Sequence, residues 1–101
     1  MKVKYLSSGE DLLFYLYGEL DECCSLEVRT AIDDVLNKHN FSKVIFNFSG
    51  VTFMDSTGIG MLLGRYKKIK NKNAKTFVQS PSKQIDKIFE ISGLYKIMPK
   101  I

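Results

Sequence analysis

Several residue types that mark common classes of enzyme and metalloprotein are scarce in this sequence. The only two cysteines, Cys23 and Cys24, are neighbours, and two are too few for a disulfide framework or a zinc site. We expect them to be ordinary helix residues, one of them buried as a small hydrophobe. The only histidine, His39, falls near the end of a predicted helix, which leaves a serine nucleophile without an evident base. No catalytic residue, metal site or cofactor is therefore predicted.

Long apolar segments are also lacking. The apolar runs "DLLFYLYG" and "KVIFNF" have the length of strands and are far shorter than the roughly 20 residues that span a bilayer. No basic segment followed by an apolar one opens the chain, so no secretory signal is predicted. We therefore expect a cytoplasmic protein without a membrane partner. At 101 residues, and without a repeat, low-complexity tract or linker, residues 1–101 are predicted to form a single domain.

The charge is unevenly distributed along the chain. Residues 1–40 carry 4 Lys/Arg and 8 Asp/Glu, whereas residues 41–101 carry 11 and 3, for a net charge of +4. The basic run from Arg65 to Lys75 is one possible nucleic-acid footprint. The alternative is that Lys67, Lys68 and Lys70 lie near the C-terminus of a helix, where cations complement the helix dipole. The second interpretation is favoured, and no direct nucleic-acid partner is expected.

Hydrophobic periodicity predicts how the chain begins. The segments "VKYLS" and "DLLFYLYGEL" flank the short turn "SGE", which is typical of a β-hairpin. The segment "SLEVRTAIDDVLNKHN" repeats apolar residues every three or four positions and is predicted to be an amphipathic helix. The alternating segment "KVIFNFS" is a third strand.

A second helix is predicted to follow this strand, with its apolar positions from Ile59 to Ile69. The segment "AKTFVQ" is predicted as a fourth strand. A third helix is expected in "SPSKQIDKIFEISG", with Ser80 as a possible cap, Pro81 at the first helical position and Gly93 as its end. The segment "YKIM" is assigned to a last short strand. This order predicts an α/β fold, in which a mixed β-sheet with an N-terminal hairpin and parallel crossovers is covered by packed helices.

The segment "FMDSTGIGMLL" lies at the transition from the third strand to the second helix. Ser56 or Thr57 is suited to cap this helix, at about 1 kcal/mol, or to make a functional contact, and the residue types leave both explanations open. Gly58 and Gly60 disfavour helix formation, which suggests a surface kept bare for the approach of another molecule. A phosphate on a hydroxyl here would meet free amides and the positive end of the helix dipole. Asp21, after the second strand, is expected at the same sheet edge.

Four segments together carry a resemblance to a known family. They are "GELD" at 18–21, "FMDSTGIG" at 53–60, "LGRYKKIK" at 63–70 and "FEISGLYKI" at 89–97. In this order they are similar to the anti-sigma factor antagonists of the STAS-domain family, above all to the sporulation type that acts with a kinase-type anti-sigma factor. The resemblance covers nearly the whole chain and implies a single STAS-type domain.

What the resemblance implies is a regulatory switch without enzymatic activity. In this family the serine after the motif aspartate, here Ser56, is phosphorylated by the anti-sigma factor, an ATP-dependent protein kinase. The unphosphorylated antagonist binds the anti-sigma factor and frees the sigma factor for transcription, and a metal-dependent serine phosphatase resets the phosphorylated form. The resemblance implies that the partner-binding residues are Asp21, Asp55, Thr57, Gly58, Ile59, Gly60 and Arg65.

Two other functions are compatible with parts of the sequence. Another STAS regulatory module, such as a stress-response scaffold, would share the fold. A small nucleotide-binding or hydrolytic enzyme using Ser56 belongs to a different class, but the sequence lacks the "GxSxG" and "GxxxxGK[ST]" motifs of such enzymes. Turnover without a protein partner would distinguish the enzyme from the switch.

Overall fold

The computed structural model describes residues 2–101, so Met1 of the predicted domain lies outside the described residues. Within this range the strands are β1 Lys2–Ser8, β2 Asp11–Leu20, β3 Lys43–Met54 and β4 Lys75–Gln79, and the helices are α1 Ser25–Lys38, α2 Ser56–Asn71 and α3 Lys83–Ser92, followed by a 3₁₀ turn at Leu94–Lys96. The strands form one sheet in the order β1-β2-β3-β4. β1 and β2 are antiparallel, whereas β2, β3 and β4 are parallel. The predicted mixed sheet, with its hairpin and parallel crossovers, is thus confirmed.

The hairpin turn has the chemistry that a two-residue loop requires. Ser8 pairs with Asp11, so that only Gly9 and Glu10 connect the strands. Gly9 has a φ of 61°, which is accessible to glycine at little cost and is typical of tight hairpin turns.

The core lies on the sheet face formed by alternating residues of β2 and β3. Phe14 of β2 stacks on Phe46 of β3 at a centroid distance of 5.3 Å, and Phe48 meets Phe89 of α3 edge to face at 5.1 Å. Each helix adds an apolar stripe at helical spacing, and burial of each large apolar side chain contributes about 1.5–3 kcal/mol. The stripes comprise Val28, Ile32 and Leu36 of α1, Met61, Leu62 and Ile69 of α2, and Ile85 and Phe89 of α3.

Strand β3, which leads to the predicted site, is longer than the predicted segment "KVIFNFS", whereas β2 has the bounds of the predicted segment "DLLFYLYGEL". Residues Gly50 to Met54 continue β3 beyond that segment, and the pairing of β3 with β2 has an irregular register. Gly18 has a φ of 104°, which only glycine adopts without strain and which accompanies the register shift. The sheet edge therefore begins after Leu20 and Met54.

The predicted last strand at "YKIM" is wrong. Residues Leu94–Lys96 form a 3₁₀ turn, and Leu94 and Met98, four residues apart, are both buried in the core. That spacing is helical rather than alternating, so both side chains reach the same side of the chain. A single bridge replaces the strand: the Val78 amide donates to Pro99 O, and the Ile101 amide donates to Val78 O, both at 2.9 Å.

Helix α3 begins later than predicted. Ser82, rather than Ser80, caps it by accepting a hydrogen bond from the Ile85 amide at 3.3 Å. Ser80 has a φ of 55°, outside the helical region, and Pro81 lies before the helix. Gly93 ends the helix in the left-handed conformation, as predicted.

Candidate functional site

The carboxyl ends of β2 and β3 lie side by side at one edge of the sheet. Leu20 pairs with Met54, and the Asp55 amide donates a hydrogen bond of 3.3 Å to Leu20 O. Asp21 follows Leu20 directly, just as Asp55 and Ser56 follow Met54. The structure therefore brings the "GELD" and "FMDSTGIG" segments together, as the parallel pairing of their strands predicted.

Asp55 is the residue that caps helix α2. Its Oδ1 accepts hydrogen bonds from the amides of Thr57, at 3.0 Å, and Gly58, at 3.2 Å. Of the two explanations left open for Ser56 and Thr57, the capping one is therefore wrong, because the Asp55 carboxylate already occupies the amides. Ser56 is the first residue of α2, and its side chain is exposed. The hydroxyl of Ser56 is thus spared a capping role.

This cap also changes the expected surroundings of a phosphate on Ser56. Two of the amides that were expected to be free at this helix end are already bound by a carboxylate. A phosphate would still lie near the positive end of the helix dipole, but it would share that end with the Asp55 charge. Phosphorylation would therefore place two negative groups, the phosphate and the Asp55 carboxylate, at one helix end, where fewer amides are free than expected.

The two glycines of the motif have different surroundings. Gly60 is exposed, and a Cβ added there would have no atom within 4 Å. Gly58 is buried, and an added Cβ would lie 2.8 Å from Met54 Cγ and 3.0 Å from Leu20 O. The explanation by a bare surface is therefore wrong for Gly58, which allows α2 to pack closely on the strand ends. Its predicted contact with a partner stays a prediction.

An apolar groove adjoins Ser56. Ser56 and Ile59 of α2 line it together with Ile88 and Ile91 of α3, and it encloses about 460 Å³. Ile91 is 77% exposed, which is unusual for an isoleucine. The sequence analysis did not single out Ile91. The available signal was that Ile91 is apolar yet lies off the buried stripe of α3.

The turn after β2 is held by Asp21 and Cys24. Asp21 Oδ1 accepts a hydrogen bond of 3.3 Å from the Cys24 amide, and Cys24 Sγ donates to Glu19 O at 2.7 Å. Burial raises the pKa of the Cys24 thiol. Cys23 is exposed and Cys24 half-buried, and both precede the first helical residue, Ser25. The expectation of one buried cysteine within the helix is therefore wrong.

Arg65 lies between α2 and α1 rather than on the surface. Its side chain is 6% exposed, and its Nε lies 2.8 Å from Asp33 Oδ1. Lys68 Nζ contacts the other carboxylate oxygen of Asp33 at 2.9 Å. Burial lowers the pKa of Arg65, and the charge of Asp33 opposes this effect. Arg65 thus joins the two helices, and its predicted contact with a partner stays a prediction.

Two further observations concern metals and membranes. Among residues 2–101, no group of three or more histidine, cysteine, aspartate or glutamate side chains is arranged to hold a metal ion. Across the same residues, no helix combines the length and apolar character needed to cross a membrane.

Comparison with known proteins gives consistent matches over nearly the whole chain. The chain is 35% identical over 88 residues to an anti-sigma F factor antagonist of Paenibacillus polymyxa, covering 87% of this chain and 75% of that protein. The structure is similar to that of the anti-sigma factor antagonist SpoIIAA in its unphosphorylated form, with a TM-score of 0.82, 29% identity and coverage of 99% and 88% of the two chains. For the phosphorylated form of SpoIIAA from Bacillus the TM-score is 0.74, with 29% identity and coverage of 99% and 91%. The sequence model of the STAS domain matches residues 3–101, and the chain therefore belongs to the STAS domain family.

Proposed function

We propose that this chain is an anti-sigma factor antagonist that is switched by phosphorylation of Ser56. The observation that carries this function is the position of Ser56, exposed at the start of α2 and relieved of capping by Asp55. The relatives named anti-sigma factor antagonists, one of which has been solved both without and with phosphate, support the same conclusion. The proposed location is the cytoplasm, and residues 1–101 are proposed to act as one domain.

The proposed docking surface combines Ser56 with three neighbouring features. Asp21 borders it at the end of β2, and Gly60 leaves the backbone of α2 open to close approach. The groove beside Ile59 adds the exposed apolar area of Ile91, and exposed apolar patches of this kind mark sites of protein interaction. A kinase-type anti-sigma factor that binds here would meet an apolar groove next to the acceptor hydroxyl.

The proposed reaction requires no catalytic residue from this chain. Ser56 Oγ attacks the γ-phosphorus of ATP held by the anti-sigma factor, and the bond from that phosphorus to the β,γ-bridging oxygen breaks. Phosphoserine forms, ADP leaves, and the hydroxyl proton is released. The antagonist is thus a substrate of the partner's kinase activity. A metal-dependent serine phosphatase is proposed to hydrolyse the phosphoserine and restore the binding form.

Charge is the proposed cause of release after phosphorylation. A phosphoserine carries about −1.5 to −2 charges at neutral pH. On Ser56 these charges lie next to the carboxylate of Asp55 and on the same edge as Asp21, and they face a partner whose nucleotide is itself negative. Like charges brought together at an interface destabilise it. The unphosphorylated form therefore binds the anti-sigma factor, and the phosphorylated form does not.

A hydrolytic use of Ser56 is less well supported. His39, the chain's only histidine, lies at the C-terminal end of α1, where its Nδ1 is 2.9 Å from Val35 O. The N-terminus of the same helix adjoins Asp21, and a helix of 14 residues is about 21 Å long. The imidazole is therefore too far from Ser56 to serve as its base.

The test of this function combines phosphorylation with site mapping. The purified chain is mixed with its cognate kinase-type anti-sigma factor and ATP, and the phosphate is located by mass spectrometry. We expect one phosphate on Ser56, none in Ser56→Ala, and a phosphate still on Ser56 in Thr57→Val, which removes the neighbouring hydroxyl. Phosphate on Thr57 in the parent, or full phosphorylation of Ser56→Ala, would contradict the assignment.

A further inference from the structure

A second concave site, separate from the apolar groove, lies between α1 and α2. It encloses about 330 Å³ and is lined by Ser25 and Arg29 of α1 and by Thr57, Gly60, Gly64 and Arg65 of α2. A Cβ added to Gly60 or Gly64 would have no atom within 4 Å, so neither glycine is needed for packing within the chain. The cleft therefore remains open although helix propensity favours larger residues at both positions.

Arg65 brings an incompletely paired charge to this cleft. Its Nε is close to Asp33 Oδ1, at 2.8 Å, but the N–H is not directed at that oxygen as a hydrogen bond requires. Its Nη1 is also buried and has no hydrogen-bond partner among residues 2–101. A guanidinium has five N–H donors, and buried polar groups are paired in nearly all native structures. Arg65 therefore lines the cleft with a guanidinium whose donors are incompletely paired.

The charges around the cleft favour an anion over water as an acceptor for these donors. Arg65 and Lys68 share the carboxylate of Asp33, and Arg29 adds a further positive charge on the adjacent face of α1. Two cations thus contact one carboxylate, and a third lines the same cleft. Burial lowers the pKa of Arg65, Asp33 raises it, and Arg29 lowers it further, as expected for two guanidinium groups that repel each other across a shared space.

We propose that the cleft between α1 and α2 binds a phosphate group, with Arg29 and Arg65 as its principal ligands. The planar guanidinium fork matches the oxygens of phosphate, and Arg29, which is exposed, closes on it from the solvent side. The hydroxyls of Ser25 and Thr57 offer further donors at the same cleft. The volume is at the lower end of the range for small-molecule sites, which suits a phosphate with a small organic part or the free ion. This site does not depend on the proposed phosphorylation of Ser56.

The test is a titration of the ¹⁵N-labelled protein followed by NMR, with inorganic phosphate added at constant ionic strength against chloride. We expect saturable shifts in the amides of Gly60 and Gly64 and in the Arg65 side chain. Arg29→Gln should weaken binding about tenfold, as loss of a charge-assisted hydrogen bond predicts. Lys67→Gln is the matched control, because it removes the same charge from an exposed position outside the cleft.

A variant that fills the cleft distinguishes specific phosphate binding in the cleft from nonspecific attraction of anions to the basic surface. Gly64→Leu keeps the charge and should abolish the saturable shifts while thermal melts show a folded protein. Retained binding in Gly64→Leu, an equal loss in Lys67→Gln and Arg29→Gln, or non-saturable shifts in the parent would overturn the assignment. A parallel titration with ribose 5-phosphate identifies the source: tighter binding than inorganic phosphate, with the same dependence on Arg29, indicates a metabolite, and equal affinity indicates the free ion.

Discussion

The carboxylate of Asp55 accepts a hydrogen bond of 3.0 Å from the amide of Thr57 and thereby holds the end of the helix on which Ser56 is the first residue. Because the same oxygen also accepts from the Gly58 amide, a single aspartate caps the helix without the help of the serine. Structure and reactivity are thus divided between adjacent residues. A change at Ser56 can alter the surface charge and leave the fold intact.

This division predicts opposite effects of neighbouring substitutions on stability. Asp55→Ala should lower the free energy of unfolding by about 1 kcal/mol, because the amides of Thr57 and Gly58 lose their acceptor. Asp55→Asn, which retains a capping oxygen, should lose only a fraction of this. Ser56→Ala is the matched control and should be nearly neutral. Urea unfolding curves measure all three, and a larger loss in Ser56→Ala than in Asp55→Ala would show that the serine is the cap.

The sequence alone could not decide which residue caps α2. Aspartate, serine and threonine are all good N-cap residues, and the sequence analysis considered only Ser56 and Thr57, so it placed the helix start one or two positions too late. The strand-to-helix transition itself was predictable, since the alternating pattern of β3 changes to helical spacing after Met54. The hydrogen bonds from the Thr57 and Gly58 amides to its side chain identify Asp55 as the cap.

The sequence also failed to predict the turn near the C-terminus and the contact between α1 and α2, for different reasons. The apolar run from Tyr95 to Met98 is too short for its period to distinguish a strand from a turn, and tertiary packing of Leu94 and Met98 decided it. The placement of Arg65 depends on Asp33, which is 32 positions earlier in the sequence. Such a contact between elements cannot be inferred from local pattern. The α/β architecture was predictable because the hairpin turn, the helices and the strands each have strong local signals in turn residues and hydrophobic periodicity.

The two motif glycines should respond differently to larger side chains. Gly60→Leu is expected to fold and to weaken binding of the anti-sigma factor, because its side chain would project from the exposed face that the partner approaches. Binding isotherms and thermal melts measure the two effects. Unchanged affinity in Gly60→Leu would show that this glycine lies outside the interface.

Gly58→Ala should instead lower stability, by about 1–3 kcal/mol, because its Cβ would lie 2.8 Å from Met54 Cγ and 3.0 Å from the Leu20 carbonyl oxygen. Gly64→Ala provides the internal comparison, since open space and better helix propensity predict a gain of up to about 1 kcal/mol. Thermal unfolding of both variants tests the pair. Equal stability of Gly58→Ala and the parent would contradict the close packing of α2 on the strand ends.

Asp21 is expected to support phosphorylation without being essential to the fold. It lies at the same sheet edge as Ser56, so Asp21→Ala should be folded but phosphorylated more slowly by the anti-sigma factor. Asp21→Asn is the matched control for the turn, because its side-chain oxygen can still accept the hydrogen bond from the Cys24 amide. If the negative charge of Asp21 supports phosphorylation, the anti-sigma factor should phosphorylate both variants more slowly than the parent. Rates equal to that of the parent in both would remove Asp21 from the site.

The end of the chain is predicted to lose stability in acid. Asp86 of α3 accepts hydrogen bonds from the Tyr95 hydroxyl and from Lys100 Nζ, and these bonds hold its pKa below the usual value near 3.8. A carboxylate with a lowered pKa in the folded state stabilises the fold above its unfolded pKa, and this contribution is lost as the pH falls through the folded value. Tyr95→Phe should therefore be less stable than the parent at pH 7, with a difference that shrinks below pH 4. A difference independent of pH would contradict this pairing.

The central claim is that charge on Ser56 controls binding of the anti-sigma factor, and calorimetric titration of that partner with Ser56→Asp, Ser56→Ala and the parent tests it most directly. All three proteins should melt at similar temperatures, because Asp55 rather than Ser56 caps α2. We predict that Ser56→Ala binds as the parent does, and that Ser56→Asp binds at least tenfold more weakly, since like charges at an interface oppose association. Folded Ser56→Asp that binds with the affinity of the parent would contradict the charge switch.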